Sequence, residues 1–348
     1  QIRLLQPKRL EELNIELKLG RAATAVDRPR RAVLLEDGDS VHYDRLVIAT
    51  GSSPRTVPQL PPDRSGVHYL RSLDDATALR EGLVTARRIL VVGAGVIGLE
   101  VAAAAMQNGR RVTVVEAGNR VMSRAAAPAV TDFITRKHRQ AGVDLRLGVR
   151  VSHVEQMTQS YSIHLSDGAV LSCDLIVVGI GVMPNDSLAR NCGLEVRPGG
   201  ILVNSYGMTS DPAIFAAGEV TLHFNARQGR HDRQETWAHA SAHGEHVGRS
   251  LIAPSRPYEE LGSYWSDQYD FTLNVIGMPI GDCDVVRGDS RADQLIVLHL
   301  LDGRVAGASS INAARELRAA RALIDVERRF DPEVLANPET DLRRLAKG

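Results

Sequence analysis

The stretch Ile89-Leu90-Val91-Val92-Gly93-Ala94-Gly95-Val96-Ile97-Gly98-Leu99-Glu100-Val101-Ala102-Ala103-Ala104-Ala105 joins a short apolar run to an alanine-rich segment through glycines spaced as GxGxxG. A buried strand, a tight turn and a helix are what this order predicts. A lone GxGxxG is weak, but a strand before it and a helix after it make a dinucleotide-binding turn. The first glycine permits the turn, the second admits a pyrophosphate, and the third lets the helix pack on the strand. The helix N-terminus then faces the phosphates without any charged side chain. Gly93, Gly95, Val96, Ile97 and Gly98 are therefore the expected contacts.

Working outward, strand Val112 to Val115 ends at Glu116, eighteen residues after Gly98. A carboxylate there would accept hydrogen bonds from the adenosine ribose hydroxyls, which favours NAD over NADP. Arg120 and Arg124 follow and admit two readings, a 2′-phosphate site or a solvated loop. Arg124 is counted among the cofactor contacts. Glu100, in the first turn of the helix, also has two readings. An acid there is explained by the helix dipole alone; alternatively its carboxylate reaches over the loop to the nicotinamide carboxamide and orients the ring.

An internal repeat extends the pattern. Asp37-Gly38 precedes Tyr43-Asp44-Arg45-Leu46-Val47-Ile48-Ala49-Thr50-Gly51, and Asp167-Gly168 precedes Cys173-Asp174-Leu175-Ile176-Val177-Val178-Gly179-Ile180-Gly181, at the same spacing. Each copy reads as a hairpin with an Asp-Gly turn, then an apolar strand ending at glycine, and each is followed by a proline, Pro54 and Pro184. The offset of 130 residues suggests two nucleotide-binding domains built to one plan. In the second copy the terminal Gly179-Ile180-Gly181 turn should face the nicotinamide from the side opposite Glu100. For the first copy, the same offset places the matching glycine loop, its strand and its acidic ribose ligand before Gln1. A segment upstream of the sequence is therefore expected.

Composition narrows the function classes. At 348 residues and 43% hydrophobic content the chain can fill two or three cores. Lys plus Arg and Asp plus Glu number 42 each, so bulk charge gives no case for nucleic acid, and 4% aromatic content makes base stacking a poor fit. Cys173, Cys192 and Cys283 form no CxxC pair, which supports neither a disulfide framework nor a zinc site and suits a cytoplasmic setting. The longest apolar stretch, Ile89 to Met106, contains the phosphate-loop glycines and Glu100 and is read as a Rossmann segment rather than a membrane span. Gln1 to Glu12 lacks the apolar region of a secretion signal. His239, His243 and His246 share a helix face, yet no carboxylate or cysteine motif accompanies them, so no metal is assigned. No Ser-His-Asp or paired-carboxylate constellation is found.

From Ile201 the chain reads as a strand followed by Thr209-Ser210-Asp211-Pro212-Ala213-Ile214-Phe215-Ala216-Ala217-Gly218-Glu219-Val220. Together with Ala49-Thr50-Gly51, Gly181-Val182-Met183-Pro184-Asn185, Glu235-Thr236-Trp237 and Tyr264-Trp265-Ser266-Asp267-Gln268, this order resembles the FAD-dependent NADH:ferredoxin reductases of Rieske oxygenase and cytochrome P-450 systems. The resemblance runs from residue 3 through Asn312-Ala313-Ala314-Arg315. It implies an α/β fold of two Rossmann-like domains, for FAD and NAD, plus a C-terminal α+β domain. The boundaries expected are 1–59 and 182–256 for FAD, 60–181 for NAD, and 257–348 for the C-terminal domain. The last should be an antiparallel sheet of strands Phe271 to Ile276, Leu295 to Leu300 and Val305 to Ser309, with helices from Asn312 on one side.

Carried over, the resemblance implies that Ala49, Thr50 and Gly51 line the FAD, Gly218 and Glu219 hold its ribityl and phosphate region, and the backbone near Arg21 to Ala23 meets the adenine; Arg55 is counted among the cofactor contacts. Trp237 and Ala238 would pack by the isoalloxazine or nicotinamide, and Trp265 would border the flavin as the C-terminal domain closes over it. Glu100 and Trp265 are the candidates closest to the chemistry: hydride passes from nicotinamide C4 to flavin N5, and two single-electron transfers then reduce a [2Fe-2S] ferredoxin. Glu219 departs from the family's usual Asp, and the extra methylene is expected to alter flavin affinity. Lacking the first glycine loop, residues 1–348 by themselves are expected to hold FAD weakly. A basic rim for an acidic ferredoxin would come from Arg227, Arg230 and Arg233 or from Arg315, Arg318 and Arg321, although the latter row also suits an ordinary surface helix. A monomer or weak homodimer is expected. Two rival readings stand beside this one: an NADH oxidase or disulfide reductase, and a non-turnover NAD(H)-binding redox sensor akin to apoptosis-inducing flavoproteins.

Overall fold

The computed structural model describes residues 5–253, 256–289 and 293–347. The first four residues of the stretch read for a secretion signal lie outside these. The chain divides into two compact units, one of Gln1–Gly51, Asn185–Arg233 and His243–Tyr258, the other of Ser52–Pro184, Gln234–Ala242 and Glu259–Gly348. No helix among the described residues is long and apolar enough to cross a membrane.

The larger unit is built on a five-stranded parallel sheet in the order Val67–Tyr69, Leu175–Val178, Arg88–Val92, Arg111–Glu116, Asp144–Leu147. Its central strands, Leu175–Val178 and Arg88–Val92, are apolar almost throughout because both faces are covered, as parallel sheets require. Helices Val96–Gln107 and Pro128–Gln140 bury Leu99, Ala102, Phe133 and Ile134 completely against it. A fully buried Leu, Ile or Phe stabilises by about 1.5–3 kcal/mol, so these contacts fix the sheet. Asp174 sets the register of the two central strands. Its carboxylate accepts from the Arg88 amide at 2.9 Å and from the Arg88 guanidinium at 2.6 Å. That pairing, with the two backbone amides, holds the Asp174 carboxyl below its usual range against the opposing effect of burial.

The repeat is physical. Strands Ala32–Leu35 and Ser40–His42 turn at Gly38, Tyr161–Leu165 and Val170–Cys173 turn at Gly168, and both glycines have positive φ. Each hairpin sits in a three-stranded antiparallel sheet and is followed by a strand that pairs in parallel, Leu46–Ile48 with Ile214–Ala216 and Leu175–Val178 with Arg88–Val92. In the smaller unit a four-stranded sheet of Val196–Arg197, Gly200–Val203, Thr221–Asn225 and Arg230–Asp232 encloses, with these strands, a core of Val26, Ile48, Ile201, Val203, Ile214 and Val220.

The C-terminal sheet of the larger unit is antiparallel, ordered Ser263–Gln268, Phe271–Gly277, Arg304–Ile311, Leu295–Leu301, Cys283–Gly288. The outer strands Ser263–Gln268 and Cys283–Gly288 add to the three expected from sequence. Helix Ala314–Asp325 begins two residues after Asn312, which adopts positive φ and bonds the Thr272 amide through its side chain. Strand alternation splits the sheet between two cores. Ile296, Leu298 and Leu300 face the C-terminal helices, whereas Leu295, Val297, Leu273 and Phe271 join Phe133 and Ile134 of the parallel-sheet domain. The second face is thus covered by a helix of the dinucleotide domain.

Candidate functional site

The glycine turn is held from inside by two of its three glycines. Gly93 has φ +103°, and a Cβ on it would stand 2.4 Å from the Gly179 carbonyl oxygen. A Cβ on Gly98 would stand 2.1 Å from the Gly93 carbonyl oxygen. Gly95 differs. A Cβ there would meet only the Gly179 oxygen, at 3.9 Å, so nothing in the protein demands a glycine at this position. Space kept open beside an uncapped helix N-terminus fits a dinucleotide pyrophosphate. Val96 is half-buried and Ile97 is exposed at the first turn of that helix.

The other expected nicotinamide-domain residues converge on this turn. Gly179 donates to the Val92 carbonyl at 2.8 Å, and Arg55 donates its amide to the Gly181 carbonyl at 2.9 Å. Ile180 packs into the core beneath them. Glu116 Oε2 accepts from the Ala94 amide at 2.8 Å and Oε1 from the Gly118 amide at 2.7 Å. The two arginines separate. Arg120 gives its guanidinium to the Ser123 carbonyl, whereas the exposed Arg124 reaches to 3.4 Å from the position of a Cβ on Gly181.

Glu100 is half-buried on helix Val96–Gln107, and Ser266 Oγ donates to its Oε1 at 2.7 Å. Burial raises its pKa, the Ser266 bond opposes that, and the charge of Asp267 adds to it. Trp265, on the same strand as Ser266, points to the opposite side and is 54% exposed. Trp237, at the start of helix Trp237–Ile252, is 65% exposed. Both tryptophans of the chain are therefore open to solvent, an unusual state for the largest apolar side chain. Ala238 is half-buried beside Trp237, where Thr236 Oγ1 accepts from the His239 amide and caps the helix.

In the smaller unit, Ala49 and Thr50 are exposed just beyond strand Leu46–Ile48. Thr50 Oγ1 donates to the Asn185 carbonyl at 2.7 Å, Asn185 Nδ2 returns a bond to the Thr50 carbonyl at 2.9 Å, and the Asn185 amide bonds the Gly51 carbonyl. Ala217 donates to the Ile48 carbonyl, which brings Gly218 to the same strand end. Gly218 has φ +77° and donates to His243 Nδ1 at 3.1 Å; Glu219 follows, half-buried, with its carbonyl accepting from Arg233. Ala23 lies on the separate antiparallel sheet, where Arg21 is paired with Asp37 and Asp39. Exposed Ala49 and Thr50 at the carboxyl end of one strand, beside the buried Gly218 at the end of its parallel neighbour, suit a flat ligand laid against backbone.

Sequence reading missed three features. Asn185 locks the turn after Thr50 through reciprocal bonds, a task its sequence position does not announce. Ser266, Gln268 and His138 form a buried polar chain behind Glu100, for which the inward alternation of Ser266 and Gln268 was the only signal. A Ser-His-Asp chain also exists: Asp284 Oδ1 lies 2.7 Å from His299 Nδ1 and His299 Nε2 lies 2.7 Å from Ser309 Oγ. Its expected absence is corrected. Register pairs Asp284 with His299 and brings Ser309 in from the neighbouring strand, and both His299 and Ser309 are 0% exposed, so this chain braces the sheet and offers no nucleophile. Of the helix histidines, His243 bonds Gly218 and His246 bonds the Ser205 carbonyl.

Residues 3–244 match the pyridine nucleotide-disulphide oxidoreductase family and residues 263–346 match a reductase C-terminal domain. The chain is 41% identical, over 94% of its length and 81% of the relative's, to the ferredoxin–NAD(+) reductase component of the anthranilate 1,2-dioxygenase system of Burkholderia cepacia. It is 36% identical, over 97% and 82%, to the corresponding component of the p-cumate 2,3-dioxygenase system of Pseudomonas putida. Among solved structures, the covalent putidaredoxin reductase–putidaredoxin complex superimposes with a TM-score of 0.94 at 34% identity, covering 99% of this chain and 85% of that one. The chain thus belongs to the pyridine nucleotide-disulphide oxidoreductase family, in the branch that carries a reductase C-terminal domain and includes the ferredoxin–NAD(+) reductase components of oxygenase systems.

Proposed function

We propose that this chain is an FAD-dependent NADH:ferredoxin reductase that supplies electrons to an oxygenase system. The observation that carries the reading is the open space at Gly95 beside an uncapped helix N-terminus, with the Glu116 carboxylate fixed alongside. FAD, when bound, supplies the capacity to take a hydride from NADH and return electrons one at a time to a [2Fe-2S] ferredoxin.

The residues have distinct tasks. Val96, Ile97 and Gly98 offer backbone amides to the pyrophosphate, and Glu116 accepts from the adenosine ribose. Glu100 orients the nicotinamide carboxamide, and Gly179, Ile180, Gly181, Arg55 and Arg124 border the same site. Ala49, Thr50, Gly51, Gly218 and Glu219 hold FAD, Ala23 meets its adenine, and Trp237, Ala238 and Trp265 exclude water from the ring. Proximity and exclusion of water are the protein's contribution, and no nucleophile is needed. Arg315, Arg318 and Arg321, exposed along helix Ala314–Asp325 opposite the buried Ala320 and Ile324, supply a basic surface for the ferredoxin. Three domains, 1–59 with 182–256, 60–181 and 257–348, divide these tasks in a cytoplasmic enzyme. A disulfide-reductase role for Cys173 is disfavoured, because burial pushes its thiol up to about 12.

The test is a visible spectrum of the protein purified at native length, followed by anaerobic NADH titration. Flavin bands that bleach with about one equivalent of NADH, and reoxidation by a [2Fe-2S] ferredoxin, support the reading. A colourless protein after FAD addition, or one reduced by NADH yet inert toward ferredoxins, would overturn it.

A further inference from the structure

Glu100 ends a line of hydrogen bonds that crosses from the dinucleotide helix into the C-terminal sheet and back to helix Pro128–Gln140. Ser266 Oγ donates to Glu100 Oε1 at 2.7 Å, and Gln268 Nε2 donates to Ser266 Oγ at 2.9 Å. Gln268 Oε1 lies 2.8 Å from His138 Nε2, and the Tyr269 hydroxyl lies 3.1 Å from His138 Nδ1. Ser266 and His138 are 0% exposed and Gln268 is 2% exposed, so water does not replace these bonds.

The donor inventory gives the line a direction. Gln268 spends its amide hydrogens on Ser266, which leaves only its carbonyl for His138, so His138 Nε2 carries the hydrogen. Burial favours a neutral imidazole, with the Gln268 bond opposing. A neutral ring with hydrogen on Nε2 presents a lone pair at Nδ1, and the Tyr269 hydroxyl donates to it. Ser266 accepts from Gln268 and has one hydrogen to give, which goes to Glu100. Every donor points from Tyr269 toward the carboxylate. Glu100 Oε2 receives no hydrogen bond from the described residues.

We infer that Tyr269, His138, Gln268 and Ser266 are positioning residues that commit Glu100 Oε1 as an acceptor and reserve Oε2 for the nicotinamide carboxamide. This rests on the reading of Glu100 proposed above. The relay also decides where a proton can sit. With Oε1 held by Ser266, a proton taken up by Glu100 is confined to Oε2, the atom that faces the ligand. Because His138 belongs to one domain and Gln268 to the other, the orientation of the nicotinamide is tied to the docking of the C-terminal sheet.

Two measurements test the relay. In the flavin-free chain, nitrogen NMR of His138 at neutral pH should show hydrogen on Nε2 and a bare Nδ1, and Gln268→Met should give a mixture of tautomers. A hydrogen on Nδ1, or a charged ring, would overturn the direction assigned. In the FAD-loaded protein, Gln268→Met and Ser266→Ala should each slow flavin reduction by NADH about tenfold and add nothing to Glu100→Gln in the double variants. Slowing that is undiminished in the Glu100→Gln background would mean a general packing effect, and no slowing while Glu100→Gln is slow would sink the relay alone. A Glu100→Gln variant that reduces flavin normally would remove the reading beneath the relay, and the relay's function with it. Ser266→Ala deletes a single oxygen, so it serves should Gln268→Met fold poorly.

Discussion

Glu116 at the end of one parallel strand is bonded through Oε2 to the amide of Ala94, inside the glycine turn that follows the neighbouring strand. Its other oxygen holds the Gly118 amide, so the acid expected to read the ribose also braces the loop that receives the phosphates. Removing it should therefore do two things at once. Glu116→Ala is expected to raise the NADH KM at least about tenfold and narrow the preference for NADH over NADPH, with about 1–2 kcal/mol of stability lost from two charge-assisted bonds. Steady-state kinetics with both nucleotides and a thermal melt measure this; unchanged discrimination would falsify the ribose assignment.

Two alanine substitutions three residues apart should fail in opposite ways. Gly95→Ala meets nothing closer than 3.9 Å in the protein, so the melt should move little while NADH binding weakens by about tenfold or more. Gly98→Ala drives a methyl to 2.1 Å from the Gly93 oxygen and should cost about 1–3 kcal/mol before any ligand is added. A Gly95→Ala protein that binds NADH normally would remove the pyrophosphate from this loop.

Acid should unfold the chain earlier than carboxylates alone would. His138, His223 and His299 are 0% exposed, and burial lowers the pKa of each, that of His223 from 6.5 to about 4. Each binds its proton more readily in the unfolded chain, so folded stability is full above 6.5 and falls as pH drops toward 4. His223 alone is worth on the order of 3 kcal/mol across that window. Denaturant titrations at several pH values check this, and a midpoint that stays flat between pH 6.5 and 5 contradicts it.

Arg287 is a buried guanidinium whose hydrogen-bond partners among the described residues are backbone carbonyls. It donates to the carbonyls of Leu335, Asn337, Pro338 and Thr340, at 2.6 Å for Asn337, and ties the final helices Pro332–Ala336 and Leu342–Lys347 to strand Cys283–Gly288. Arg287→Met should cost about 2–4 kcal/mol, because several carbonyls lose a charged donor at once. Hydrogen exchange should rise first in residues 332–347 while the parallel sheet stays protected. Uniform deprotection would show that this segment does not open on its own.

Much of this was legible in the residues. The turn from Gly93 to Gly98 announced itself because glycine spacing, an apolar run and alanine-rich helix formers all point to one geometry. The two hairpins did so because Asp-Gly turns repeat at a fixed offset. The strand Cys283–Gly288 was hidden by Asp284 and Arg287, polar residues whose side chains point into the protein because His299 and four carbonyls receive them. No local pattern announces such partners. The relay behind Glu100 was unreadable for the same reason: His138 and Gln268 stand 130 residues apart, and their bond exists only once two domains share a face.

The C-terminal sheet has one face on its own helices and the other on Phe133 and Ile134 of the dinucleotide domain. Neither module has a finished surface without the other. A recombination event that exchanged either one alone would expose Leu273, Leu295 and Val297 and leave an insoluble hybrid. The glycine-turn domain and the C-terminal sheet are therefore inherited as a pair, and chimaeras between relatives should be joined outside residues 52–184, 234–242 and 259–348.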